Sequence, residues 1–149
     1  MKQARKHYKD IPFWENRARI KLLTHFRSLV NTYFDNSVLN MVSGNYNEKP
    51  EAADAKNAIN LIIKNAYAII SHAEIKTYTA STPSVSVKGG GQNINLILNI
   101  FNLGRNDIEP DVAIDYIDRA IAVYKSNRAA SFIRVINPFF WISVALKYR

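Results

Sequence analysis

The chain contains no cysteine. Disulfides and thiolate chemistry are therefore excluded, and a reducing compartment is compatible with the composition. Long apolar runs are missing as well. The longest uncharged stretch near the C-terminus, Val135 to Leu146, has 12 residues, against roughly 20 for a helix that crosses a bilayer. Residues 1–28 are charged throughout and lack an apolar run, so no secretory signal is expected. The most telling absence is local. From Arg119 to Arg149, over 31 residues, there is no Asp or Glu.

What remains is an ordinary globular composition. Of 149 residues, 48% are hydrophobic and 21% charged, which favours one domain with a sizeable core over a disordered chain. Net charge is +8, and it is segregated. Residues 1–28 carry +6, residues 29–118 carry −4, and residues 119–149 carry +6. Basic termini around an acidic middle point to an anionic partner at the ends. Chain ends often lie together, and the two basic blocks then form one patch.

Hydrophobic periodicity predicts an all-α single domain over 1–149, with four main helices. The first starts near Pro12 or Phe13 and runs to about Asp35, or restarts through Val38 and Leu39. Its stripe includes Ile20, Leu23, Phe26, Leu29, Val30, Tyr33 and Phe34. The second follows Pro50 and ends near Glu74 to Lys76, with Ala55, Ile59, Ile62, Ala66, Ile69, Ile70 and Ala73 inward. Thr77 to Gln92 read as a long Ser/Thr/Gly loop, with a possible small hairpin from 75–79 and 85–87. A short third helix is expected over 93–103, closed by Gly104. The fourth is capped by Asn106 or Asp107 and has Pro110 in its first turn. Early Asp111, Asp115 and Asp118 and late Lys125, Arg128 and Arg134 match the helix dipole. Its buried face is Ile114, Ile117, Ile121 and Tyr124, extending to Phe132, and it stops before Pro138.

Catalytic and metal signals are weak. His7, His25 and His72 have no ligand spacing, and His72 reads as a core or boundary residue. The acids from Asp107 to Asp118 lack the glycine and terminal Glu of a calcium loop. Lys88 followed by Gly89-Gly90-Gly91 lacks the order of a phosphate-binding loop and reads as a hinge. No nucleophile elbow or triad is recognisable. The expectation is a non-enzymatic protein with no cofactor and no metal.

The informative segment is the basic, aromatic tail, residues 132–149. Pro138-Phe139-Phe140-Trp141 lies among Arg128, Arg134, Lys147 and Arg149. A second cluster, Ile11-Pro12-Phe13-Trp14, echoes it beside Arg17 and Lys21. Bulky rings with cations and no acids suit a surface that is negative outside and apolar just beneath. The same rings could fill a core, staple the chain ends to the bundle or meet a protein partner. A sequence pI near 9.8 also admits nucleic acid, but no helix-turn-helix, zinc spacing or RNA-binding aromatic motif accompanies it.

Ala120-Ile121-Ala122-Val123-Tyr124, Arg128, Arg134 and Asn137-Pro138-Phe139-Phe140-Trp141, with Gly90-Gly91 and Asn93-Ile94 upstream, resemble a motif of bacterial helical proteins of no assigned activity. The resemblance covers about the last 60 residues. It implies a helical domain whose Asn-Pro-Phe-Phe-Trp segment leads into a membrane-associated stretch. The expected role is therefore a small basic helical protein at the cytoplasmic face of a membrane. The alternatives are a soluble nucleic-acid-binding or protein-interaction module and an immunity-type accessory protein.

Overall fold

The computed structural model describes residues 7–75, 79–81, 93–106 and 108–147. Helix α1 spans Phe13–Asp35, α2 Pro50–His72, α3 Pro110–Ser126, α4 Arg128–Ile136 and α5 Pro138–Lys147. The chain is thus an all-α domain with a long connection between its second and third main helices. Two short antiparallel hairpins decorate it. Strand β1 (Ser37–Leu39) pairs with β2 (Tyr46–Glu48), and β3 (Thr79–Ser81) pairs with β4 (Asn93–Asn95).

The core is one cluster between α1, α2 and α3. Leu23, Phe26, Val30 and Tyr33 come from α1, and Ile59, Ile63, Ala66 and Ile70 from α2. Ile117, Ala120, Ile121 and Tyr124 come from α3. All recur at three- and four-residue spacings, so each helix presents one apolar stripe. Side chains fix the register. Buried Asn16 donates through Nδ2 to the Tyr124 carbonyl at 3.1 Å, and Arg27 Nε meets Asp118 Oδ1 at 2.6 Å. Low residue numbers on α1 thus face high ones on α3, and the two helices are antiparallel. Tyr124 Oη accepts from Arg19 Nη1 at 3.0 Å and donates to the Ile69 carbonyl at 2.8 Å, which ties α2 to the same junction. Burial is the main cause that raises the Tyr124 phenol above its ordinary range, against the lowering effect of Arg19.

Several local expectations are corrected. The predicted third helix does not form. Asn95 Oδ1 accepts from the amides of Ile97 and Leu98, and Asn99 Nδ2 donates to the Asn95 carbonyl. These local bonds offer the backbone an alternative to a helical ladder. The segment becomes β4, a turn and two 3-10 turns, Ile100–Asn102 and Gly104–Asn106. Gly104 is not a helix stop but a point of close approach. A Cβ there would lie 2.3 Å from Leu39 Cδ1 and 3.0 Å from the Gly44 carbonyl oxygen. Val38 and Leu39 belong to a hairpin, not to a restarted helix, and Gly44 takes the positive φ its turn requires. Residues 79–81 pair with 93–95, and 76–78 and 85–87 of the expected small hairpin lie outside the described residues. Most of the Thr77–Gln92 loop and the Gly89-Gly91 run lie outside the described residues.

The fourth predicted helix is broken at Asn127, giving α3 and α4. The N-cap is Glu109, without a side-chain cap bond, rather than Asn106; Asp107 lies outside the described residues. Asn127 Nδ2 donates to the Tyr8 carbonyl at 2.7 Å, and its Oδ1 accepts from Arg134 Nη2 at 3.0 Å. Its side chain therefore anchors the N-terminal segment at the break. Phe132 is 54% exposed and does not continue the buried face.

Candidate functional site

The two aromatic clusters, more than 100 residues apart in sequence, meet in space. Trp14 and Trp141 stack with centroids 6.0 Å apart and ring planes 12° from parallel. Phe13 meets Phe132 edge-on at 5.6 Å. Two guanidinium groups complete the cluster: Arg128 lies 5.7 Å from the Phe13 centroid and Arg134 6.0 Å from that of Phe140. Such cation–π contacts contribute about 0.5–1 kcal/mol each at exposed sites. The possible second patch of Phe13, Trp14, Arg17 and Lys21 is therefore continuous with the tail. Arg17 and Lys21 are exposed and follow Trp14 by three and seven residues, on its face of α1.

The tail is helical for a local reason. Asn137 is extended, and its Oδ1 accepts from the amide of Phe139 at 3.0 Å. Pro138 then occupies the first helical position, where its missing N–H costs nothing. The chain bends by 101° between Pro110–Ile136 and Pro138–Lys147. Helix α5 consequently crosses the end of the bundle instead of extending it. Lys147 Nζ reaches Asp10 Oδ2 at 2.5 Å, and Trp141 Nε1 donates to the Val135 carbonyl at 3.3 Å.

Helix α5 has the most apolar composition of the five helices, yet it contains no buried residue. Phe139 is 76% exposed, Ile142 58% and Leu146 71%. These positions are three and four apart and form one stripe. Phe132, Ile133 and Ile136 on α4 and Trp14 on α1 are exposed beside it. The Phe139–Trp141 rings are not in the core, but the Trp141 stack on Trp14 fits the other structural role considered, a staple of the tail to the bundle. Phe140 is half-buried, and Trp141 retains 36% exposure. Arg134 points inward, toward Asn127, and serves the α3–α4 junction as well as Phe140. Arg149 lies outside the described residues.

The comparison with protein-family models, curated proteins and solved structures finds no match to this chain.

Other features of the surface carry less chemistry. A groove of about 650 Å³ between α1 and α3 is lined by Arg27, Asn31, Asp35, Glu109 and Asp111 with Phe34, Pro110 and Ile114. Among the described residues, no three His, Cys, Asp or Glu side chains gather as a metal site. Among the described residues, no single helix is long and apolar enough to cross a membrane. Sequence reasoning missed Ile133, Ile136, Ile142 and Leu146 as surface residues. Their signal was present as a three- and four-residue spacing inside an uncharged stretch.

Proposed function

We propose that this is a non-enzymatic protein that rests on an anionic membrane surface through α4, α5 and the start of α1. One observation carries the reading: the most apolar helix of the fold leaves its Phe139–Ile142–Leu146 stripe in water, in a segment without an acid. Contiguous exposed apolar surface rimmed by polar groups marks an interaction site. The sign of the rim selects the partner. Arg17, Lys21 and Arg128 are cations, and each contributes about 1 kcal/mol near an anionic leaflet, while Lys147 offsets Asp10. Full burial of one large apolar side chain contributes roughly 1.5–3 kcal/mol. These side chains start more than half exposed, so several kcal/mol are accessible without unfolding anything.

The test is co-sedimentation with vesicles of phosphatidylcholine alone and of phosphatidylcholine with phosphatidylserine, with duplex DNA as a competing polyanion. Binding is expected only with the anionic vesicles. It should weaken as salt rises, since the screening length is about 8 Å at physiological ionic strength. Replacing Phe139, Phe140 and Trp141 together by Ala should reduce binding even at low salt. Tight DNA binding that ignores the ring substitutions would replace this reading with the nucleic-acid one.

A further inference from the structure

The proposed membrane face occupies one end of the helical bundle, and the charged side chains divide between its two ends. The geometry points to end-on docking: α5 lies flat in the interfacial layer, the three long helices stand steeply above it, and the β1–β2 hairpin is held at the far pole. This inference rests on the membrane reading and adds the orientation and the surface that stays in water.

Three observations carry it. The first is shape. The chain bends by 101° into α5, and α5 lies against the N-terminal end of α1 through Trp141 on Trp14 and Lys147 on Asp10. The bend makes α3 nearly perpendicular to α5, so turning the exposed Phe139–Ile142–Leu146 stripe to the lipid allows α3 to stand upright. Helix α1 is antiparallel to α3 and has 23 residues, or about 35 Å of rise. The hairpin begins where α1 ends.

The second is charge. Near α5 the acids are engaged: Asp10 with Lys147, Glu15 with Arg19, and Glu74 with His7. Around the far pole acids outnumber cations: Asp35, Glu51, Glu109 and Asp111 lie at the end of α1 and the starts of α2 and α3 beside Lys49 and Arg105, while Glu48 is paired with Lys56. An anionic leaflet attracts one pole and repels the other. The hairpin tip is itself apolar, since Met41 is 87% and Val42 99% exposed. Apolar exposure alone would allow either end to dock, and the acids at the far pole decide between them.

The third is the flanks. Among the described residues, Leu61 is the one exposed large apolar side chain on the three long helices apart from Trp14. A side-on pose would bring little apolar area to the lipid.

The absence of cysteine makes the test direct. Ala145→Cys on α5 and Met41→Cys at the hairpin tip each give one labelling site, and both positions are exposed. Each variant, labelled with a fluorophore and checked for native circular dichroism, is mixed with phosphatidylserine-containing vesicles that carry headgroup nitroxide quenchers. Sedimentation of the same samples measures binding. End-on docking predicts quenching of the Ala145→Cys label several-fold greater than that of the Met41→Cys label. Equal quenching of both labels on bound protein overturns the orientation and leaves the membrane reading standing. Quenching at Met41→Cys alone overturns both the face and the orientation. Absence of the unlabelled wild-type protein from the vesicle pellet overturns the membrane reading, and the orientation falls with it.

Discussion

Helices α3 and α5 use the same kinds of apolar residue for opposite ends. In α3, Ile117 and Tyr124 are fully buried and Ile121 is 7% exposed. In α5, Phe139, Ile142 and Leu146 are each more than half exposed. Composition points the other way, since α5 is the more apolar of the two. Neighbours decide: α3 packs on α1 and joins α2 in the shared core, whereas the 101° bend carries α5 across the end of the bundle, where only one side finds a partner. An apolar helix is inward only if the topology supplies a second layer.

The sharpest way to break this comparison is a pair of truncations. Phe26→Ala removes a ring with no exposure and should destabilise by about 3–5 kcal/mol in a denaturant titration. Phe139→Ala removes one that is already in water, and its effect should stay within about 0.5 kcal/mol, as for ordinary surface changes. Similar losses for both would mean that α5 is part of the core.

The buried polar junction gives the next largest effect. Tyr124→Phe leaves buried Arg19 Nη1 without its hydroxyl acceptor and removes one of two donors to the Ile69 carbonyl, which keeps the Ala73 amide. A cost of about 1–3 kcal/mol is expected from the unpaired guanidinium donor, read as a lower melting temperature. The same change should leave vesicle binding by the folded protein intact, which separates the bundle from its surface helix.

The smallest effect concerns pH at the far pole. The hydrogen bond from Lys56, helped by the one from Tyr33, holds the Glu48 carboxyl below its ordinary value of 4.5, against an opposing effect of burial. Burial first, then Glu48, raises the Tyr33 phenol. A depressed carboxyl stabilises the fold fully above its unfolded value, and the contribution fades as pH falls through the folded one. Wild type should therefore exceed Glu48→Gln in stability at neutral pH, and the gap should close below about pH 4.5. A gap that persists into acid would assign the difference to amide packing instead of charge.

The sequence was most legible where periodicity is strong and caps are simple. Pro12 and Phe13 mark the start of α1, Pro50 that of α2 and Pro110 the first turn of α3. Legibility failed at asparagine. Asn95 and Asn99 divert their segment from helix to turns, and Asn127 splits a long helix, through side-chain bonds that a hydrophobic pattern does not encode. Pro138 was readable as the stop of the preceding helix, but not as the first residue of α5, because Asn137 also caps α5. The aromatic clusters could be found by residue type. That Trp14 and Trp141 would touch could not, since nothing local fixes a contact between opposite ends of the chain.

That contact has a practical side. Trp14 and Trp141 are the chain's two tryptophans, and they are stacked. All of its indole emission therefore arises at one spot, where the beginning of the first helix meets the last. Excitation of that pair reports whether the two ends of the chain are together, without any label. The molecule carries its own optical gauge of closure, and its zero point is the stacked state.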